Sequence, residues 1–140
     1  MIIDIRRALE VITPNAKWDF SIPNEGGTEL QYSNIRWEDT RQKPSWETLV
    51  SIADGFAAAD LQARRECMQC GALQFRKALR QLGKMDAVKA YVETADEETQ
   101  EAWEYATEFR RLDPFIVQGM AALGVSDAEV DAVFELAVTL

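Results

Sequence analysis

Histidine is absent from the 140 residues. That excludes every mechanism that needs an imidazole: nucleophilic triads, histidine metal sites, and side-chain proton shuttles working near neutrality. Cysteine is scarce, with Cys67 and Cys70 alone. Their Cys-Met-Gln-Cys spacing suggests zinc or redox chemistry, but a closed zinc site takes about four ligands and nothing else in the chain supplies cysteine or histidine. Thioredoxin-type chemistry needs the pair at a helix start after a strand, whereas here it ends a long helical pattern. Two small buried hydrophobes, reduced in the cytosol, are expected instead. Long apolar runs are missing too. Nothing approaches the ~20 residues that span a bilayer, and Met1-Ile-Ile-Asp4 is no basic-then-apolar leader. The expectation is a soluble, unexported protein without membrane contact. Gly-x-x-x-x-Gly-Lys-Ser/Thr, Gly-x-Gly-x-x-Gly and Asp-x-Asp-x-Asp-Gly loops are all lacking, so neither a cofactor nor a metal is expected.

What is present is a globular composition. Hydrophobic residues make up 47% and charged residues 28%, enough for a packed core in one domain, or in a small lobe attached to a helical body. Lys and Arg total 15 against 24 Asp and Glu, a net charge of -9. The imbalance is local: residues 1–85 hold 12 basic and 11 acidic side chains, and residues 86–140 hold 3 and 13. So acidic a surface repels phosphate backbones, and nucleic-acid binding is not expected.

Ile2, Ile5, Leu9 and Ile12 recur at helical spacing and Pro14 ends the run, which predicts a short opening helix. Trp18, Phe20 and Ile22 alternate with polar residues, Pro23 to Gly27 supply turn chemistry, and Leu30 and Tyr32 alternate again before Ile35 and Trp37. That pattern predicts a hairpin or three-stranded meander leaning on the opening helix. Ser45 then caps a helix that runs with little interruption towards Cys70. Ala72, Phe75, Leu79 and Leu82 form the next stripe, with Arg76, Lys77 and Arg80 opposite and Gly83 as a stop. Thr94 to Glu97 reads as a capping box opening an acidic helix over 95–111, with Trp103, Ala106 and Phe109 facing inward. Asp113-Pro114 begins another helix that stops at Gly124, and Ser126 to Glu129 is a second capping box, with Val125 and Val130 as a hydrophobic staple. The expected fold is α+β, mainly α: a lobe over 1–44 with a helix and hairpin, a connecting helix over 45–70, and an acidic helical bundle over 71–140.

Several of these stretches carry a resemblance. Leu73-Gln-Phe-Arg-Lys-Ala-Leu79, Trp103-Glu-Tyr-Ala-Thr-Glu-Phe-Arg-Arg111, Asp113-Pro114, Leu123-Gly124 and Asp131-Ala-Val-Phe134 together resemble a helical module of small proteins encoded among the tail genes of tailed phages and prophages. Ala8-Leu9, Pro14, Trp18, Ile35-Arg-Trp37, Pro44 and Trp46-Glu47 resemble the Trp-rich lobe of small tail-associated proteins. The resemblance implies a non-enzymatic role as a tail-assembly chaperone or small virion component, with other tail or tail-fibre proteins as partners and a homo-oligomer as a further state. It places the protein in the host bacterial cytoplasm during assembly, or in the virion. The Cys-Met-Gln-Cys sequence is not part of that pattern.

The candidate contact residues fall into two groups. Trp18, Trp37 and Trp46 would make an aromatic patch for a partner, although packing of a small lobe accounts for them equally well and is preferred. Glu97, Glu101, Glu104 and Glu108, at spacings of one exposed helical strip, would face a partner or simply face solvent. Arg110 and Arg111 at that helix's end offset its dipole, or anchor an acidic partner. The strip also suggests an acidic decoy that mimics nucleic acid for a host factor. A carboxylate-based hydrolase ranks last, because no apolar pocket is visible that would separate the acids' pKa values.

Overall fold

The computed structural model describes residues 1–140 and is mainly helical with one small antiparallel sheet, the expected mainly-α α+β class. The chain divides into two compact units, Met1–Asp60 and Leu61–Leu140. The three expected segments thus become two units, and the boundary falls inside the presumed connecting helix. The -9 charge is shared as -4 (6 basic, 10 acidic) and -5 (9 basic, 14 acidic). The sharp division seen along the sequence therefore lies within the second unit, between residues 61–85 and 86–140.

In the first unit, α1 (Ile5–Ile12) starts where the Asp4 carboxylate accepts the Arg7 N–H at 3.0 Å, and it buries Ile5, Ala8 and Leu9. The predicted hairpin is not there. Only isolated bridges join Ile3 to Gly27 and Trp18 to Trp37, and residues expected in a strand form α2 (Glu29–Ser33). The reason is local: Thr28 and Gln31 make a reciprocal capping box, the Thr28 N–H donating to Gln31 Oε1 at 2.8 Å, and this outweighs a two-residue alternation. Leu30 is consequently exposed, while Tyr32 turns inward and donates its hydroxyl to the Pro44 carbonyl at 2.6 Å. Burial pushes that phenol up to about 12. A second break comes at Phe20, whose φ of 53° ends the extended run after Trp18.

Ser45 caps α3 (Trp46–Ala53) as expected, accepting the Thr48 N–H. The helix does not continue to Cys70: it breaks at Asp54-Gly55 and resumes as α4 (Phe56–Cys67). Around α1 and α3 the core gathers Ile3, Leu9, Trp18, Ile22, Tyr32, Ile35 and Leu49, with Trp37 and Trp46 packed on its edge.

The second unit contains the sheet. Strand β1 (Gln69–Gly71) pairs antiparallel with β2 (Glu108–Arg110), Cys70 opposite Phe109. Helices α5 (Ala72–Gln81), α6 (Met85–Thr94), α7 (Glu97–Tyr105), α8 (Pro114–Ala122) and α9 (Asp127–Ala137) complete it. The acidic helix is shorter than expected at both ends. Its cap is Asp96, which accepts the Thr99 N–H at 2.8 Å, because the Thr94 hydroxyl instead bonds back to Ala90 and Tyr91 carbonyls of α6. At Ala106 the backbone turns extended, and Phe109 enters the core from a strand.

Cys70 is buried, its thiol pushed up to about 11 by burial, but Cys67 is exposed at the end of α4. The expectation of two buried thiols holds for one. Gly83 and Gly124 are left-handed, with φ of 69° and 68°, as their places after helix ends require.

The Ser126 to Glu129 box forms as predicted: the Ser126 N–H donates to Glu129 Oε2 at 2.9 Å, and Lys84 reaches Glu129 Oε1 at 3.0 Å. The Ser126 backbone bond, then Lys84, bring the Glu129 carboxyl down to about 2 from an ordinary 4.5. Because the folded value is depressed, this contribution to stability is complete above about pH 4.5 and is lost as pH falls towards 2. A Glu129→Gln chain should therefore lose less stability than the parent across that interval, measured by urea titration at several pH values.

Candidate protein-contact groove

The second unit's core is a chain of aromatic rings. Phe75 on α5 lies with its centroid 4.8 Å from Phe109 and 5.1 Å from Phe134. Phe109 stacks on Phe115 at 5.7 Å and on Trp103 at 5.8 Å. Trp103 is the last ring, half-buried with an edge to solvent. An apolar crevice behind it, between Phe75, Tyr91, Phe115 and Gly119, has room for only about 10 Å³. That is at the lower limit for a single water, so the crevice is core.

In front of Trp103 lies an open groove of about 580 Å³, lined by Arg76, Val92, Glu93, Gln100, Trp103 and Glu104. Its geometry follows from two helices. α6 contributes Glu93 one residue after the buried Val92, and α7 contributes Gln100, Trp103 and Glu104 at the i, i+3, i+4 positions of one face. The Arg76 guanidinium sits 4.8 Å from the Trp103 ring centre and donates to the Trp103 carbonyl, a cation at the last turn of α7 where the helix dipole favours it. Gln100 donates its amide to the Glu93 and Ala95 carbonyls, at 3.3 and 3.2 Å. Glu93 and Glu104 take part in no ion pair. The groove thus offers a fixed indole edge with two solvated carboxylates beside it, suited to an apolar side chain flanked by a cation.

The residues singled out from sequence are distributed differently. Trp18 is buried and Trp37 and Trp46 are half-buried in the first unit's core, so they do not form an exposed aromatic patch. The Trp37 indole N–H is used internally, donating to the Arg41 carbonyl at 2.7 Å. Glu97, Glu101 and Glu104 are exposed on α7, but Glu108 stands on β2, where it pairs with Arg110 at 2.9 Å. The single strip of four is therefore broken after Glu104.

Arg111 is no anchor for a partner. It is 3% exposed, its Nε donating to Asp131 Oδ1 at 2.6 Å and its Nη2 to Asp127 Oδ1 at 2.8 Å. Arg65 completes the cluster with three bonds to Asp131, the shortest 2.8 Å. Burial acts to raise the Asp131 carboxyl, but hydrogen bonds from Arg65 and Arg111, with their charges, outweigh it and hold the group below its ordinary range.

Of the groove residues, only Glu104 is selected as a contact residue from the sequence; Trp103 is expected in the core, and Arg76, Val92, Glu93 and Gln100 are not singled out as contacts. Arg76 meets Trp103 from 27 positions away, and no local spacing signals that contact. No helix is long and apolar enough to cross a membrane. No protein-family model, no curated protein and no solved structure matches the chain.

Proposed function

We propose that this chain is a non-enzymatic protein-contact component of a tailed phage or prophage, acting in tail assembly as a chaperone or small structural part. The observation that carries the reading is the Trp103 groove: an aromatic edge held rigidly by Phe109, Phe115 and Arg76 beside the unpaired Glu93 and Glu104. Rigid, partly exposed Trp side chains concentrate binding energy, and the two carboxylates favour a partner segment that carries Lys or Arg next to its apolar anchor. The resemblance of the 73–134 stretch to tail-gene modules supplies the context. The decoy reading has less behind it, since α7 is nine residues long and so spans only about 13 Å, a few phosphate spacings.

Purified tail and tail-fibre proteins tested by calorimetry should include one that binds this chain. Trp103→Ala should weaken that complex by about 2 kcal/mol or more. Because Trp103 also touches the core, Glu93→Lys with Glu104→Lys serves as the second variant. It should weaken binding while leaving the thermal transition unchanged. Retained affinity in both variants would refute the groove as the contact.

A further inference from the structure

The first unit carries a second groove, of about 460 Å³, lined by Arg6, Leu9, Glu10, Asn15, Ala16, Lys17, Trp18 and Phe20. Two of its residues, Asn15 and Phe20, are the chain's non-glycine residues with positive φ, 57° and 53°. For a bulky aromatic residue that conformation is costly. Burial does not offset it, because Phe20 is 56% exposed. The side chain is nonetheless fixed. It stacks on Trp18 with centroids 4.4 Å apart, the Arg6 guanidinium lies 5.2 Å from the Trp18 ring and 5.6 Å from the Phe20 ring, and Arg6 also donates to the Phe20 carbonyl at 2.8 Å. The result is a rigid aromatic shelf presented outward. Its cations, Arg6 and Lys17, have no carboxylate partner, and the rim acid Glu10 is engaged in accepting the Asn15 N–H at 3.1 Å.

A surface with the complementary chemistry exists on α7, along the exposed strip that adjoins the Trp103 groove at Glu104. Glu97, Glu101 and Tyr105 follow one another at i, i+4 and i+8. All three are exposed, Tyr105 at 73%, and neither glutamate makes an ion pair. These positions span about 12 Å and combine two carboxylates with a terminal aromatic ring, the counterpart of two cations and an aromatic shelf. We infer that the Arg6/Lys17/Phe20 groove receives the Glu97, Glu101 and Tyr105 face of α7 from a second copy of the chain.

The two surfaces differ, so the contact is heterologous and leads from copy to copy, either closing into a ring or growing as an open array. The net charge of -9 opposes the approach of two copies. At about 0.15 M salt the Debye length is near 8 Å, which screens that repulsion while leaving the close contact intact.

Sedimentation velocity and light scattering of the full chain at that salt concentration test the inference. The expected result is a mass that rises with protein concentration beyond a dimer. Lys17→Glu with Phe20→Ala should be monomeric, and so should Glu101→Lys with Tyr105→Ala, each with its circular dichroism unchanged. An equimolar mixture of the two variants should form dimers and nothing larger, because each retains the surface the other has lost. Lys77→Glu with Arg80→Glu, on the exposed face of α5, should associate like the parent. A parent chain that stays monomeric, variants that still associate, a mixture that stays monomeric, or loss of association on the α5 changes would each overturn the inference.

Discussion

Replacing Asp131 with Asn is expected to cost the second unit about 3–5 kcal/mol, the scale on which removing one member of a buried ion pair destabilises proteins. Asp131 receives Arg65 and Arg111 together, and Arg111 is 3% exposed. Without the carboxylate, two guanidinium groups remain beside each other with only Asp127 opposite, and Arg111 cannot reach bulk water. The cluster joins three parts of the unit: the end of α4, the residue after β2, and α9. Its loss should therefore lower the urea midpoint and deprotect amides of β2 and the first turns of α9 together. A solvent-exposed pair on the same helices, Arg64 with Glu135, gives the contrast. Glu135→Ala should change stability by about 1 kcal/mol or less. The acid limb follows the same logic. The folded Asp131 carboxyl lies below its ordinary 3.8, so its contribution is complete above that pH and disappears as pH falls through the depressed folded value.

Phe75→Ala should have an effect of similar size. The ring has no solvent exposure and touches Phe109 and Phe134 at once. Truncation removes burial, leaves a cavity, and breaks two aromatic contacts, which together correspond to about 3–5 kcal/mol for a buried Phe. Small domains have about 5–15 kcal/mol in total, so either substitution leaves a marginal unit. Phe75→Leu refills much of the volume and should recover more than half of the loss. Chemical denaturation of the three proteins under one set of conditions checks both statements.

Features determined by a few neighbouring residues could be read from the sequence. Ser45, Ser126 with Glu129, and the left-handed Gly83 and Gly124 lie where expected, because caps and stops are local chemistry. The Thr28 and Gln31 box was equally local. The alternation of Leu30 and Tyr32 points instead to a strand, but two residues cannot by themselves distinguish a strand from one helical turn. The real sheet was not legible: each strand has three residues, and the pairing of Cys70 with Phe109 spans 39 positions.

The expected helix over 95–111 gives way to β2 at Glu108–Arg110, and this changes the place of Arg111. On a strand the side chains alternate, so Phe109 inward and Arg110 outward put the next residue inward. Of the candidate groove, only Glu104 was legible as an exposed contact residue. Trp103 reads as core from its helical spacing, and Arg76 reaches it only through tertiary packing; in the first unit, the outward Phe20 depends on a backbone conformation that sequence patterns disfavour.

Complementation tests the proposed role of the Trp103 groove directly. On the proposed role in tail assembly, the genome that carries this gene would be deleted for it and supplied with the Glu93→Lys, Glu104→Lys chain, with its folded level verified in the cell. The expected result is a loss of complete, infectious tailed particles comparable to the deletion. Normal particle yield from that folded variant would contradict it.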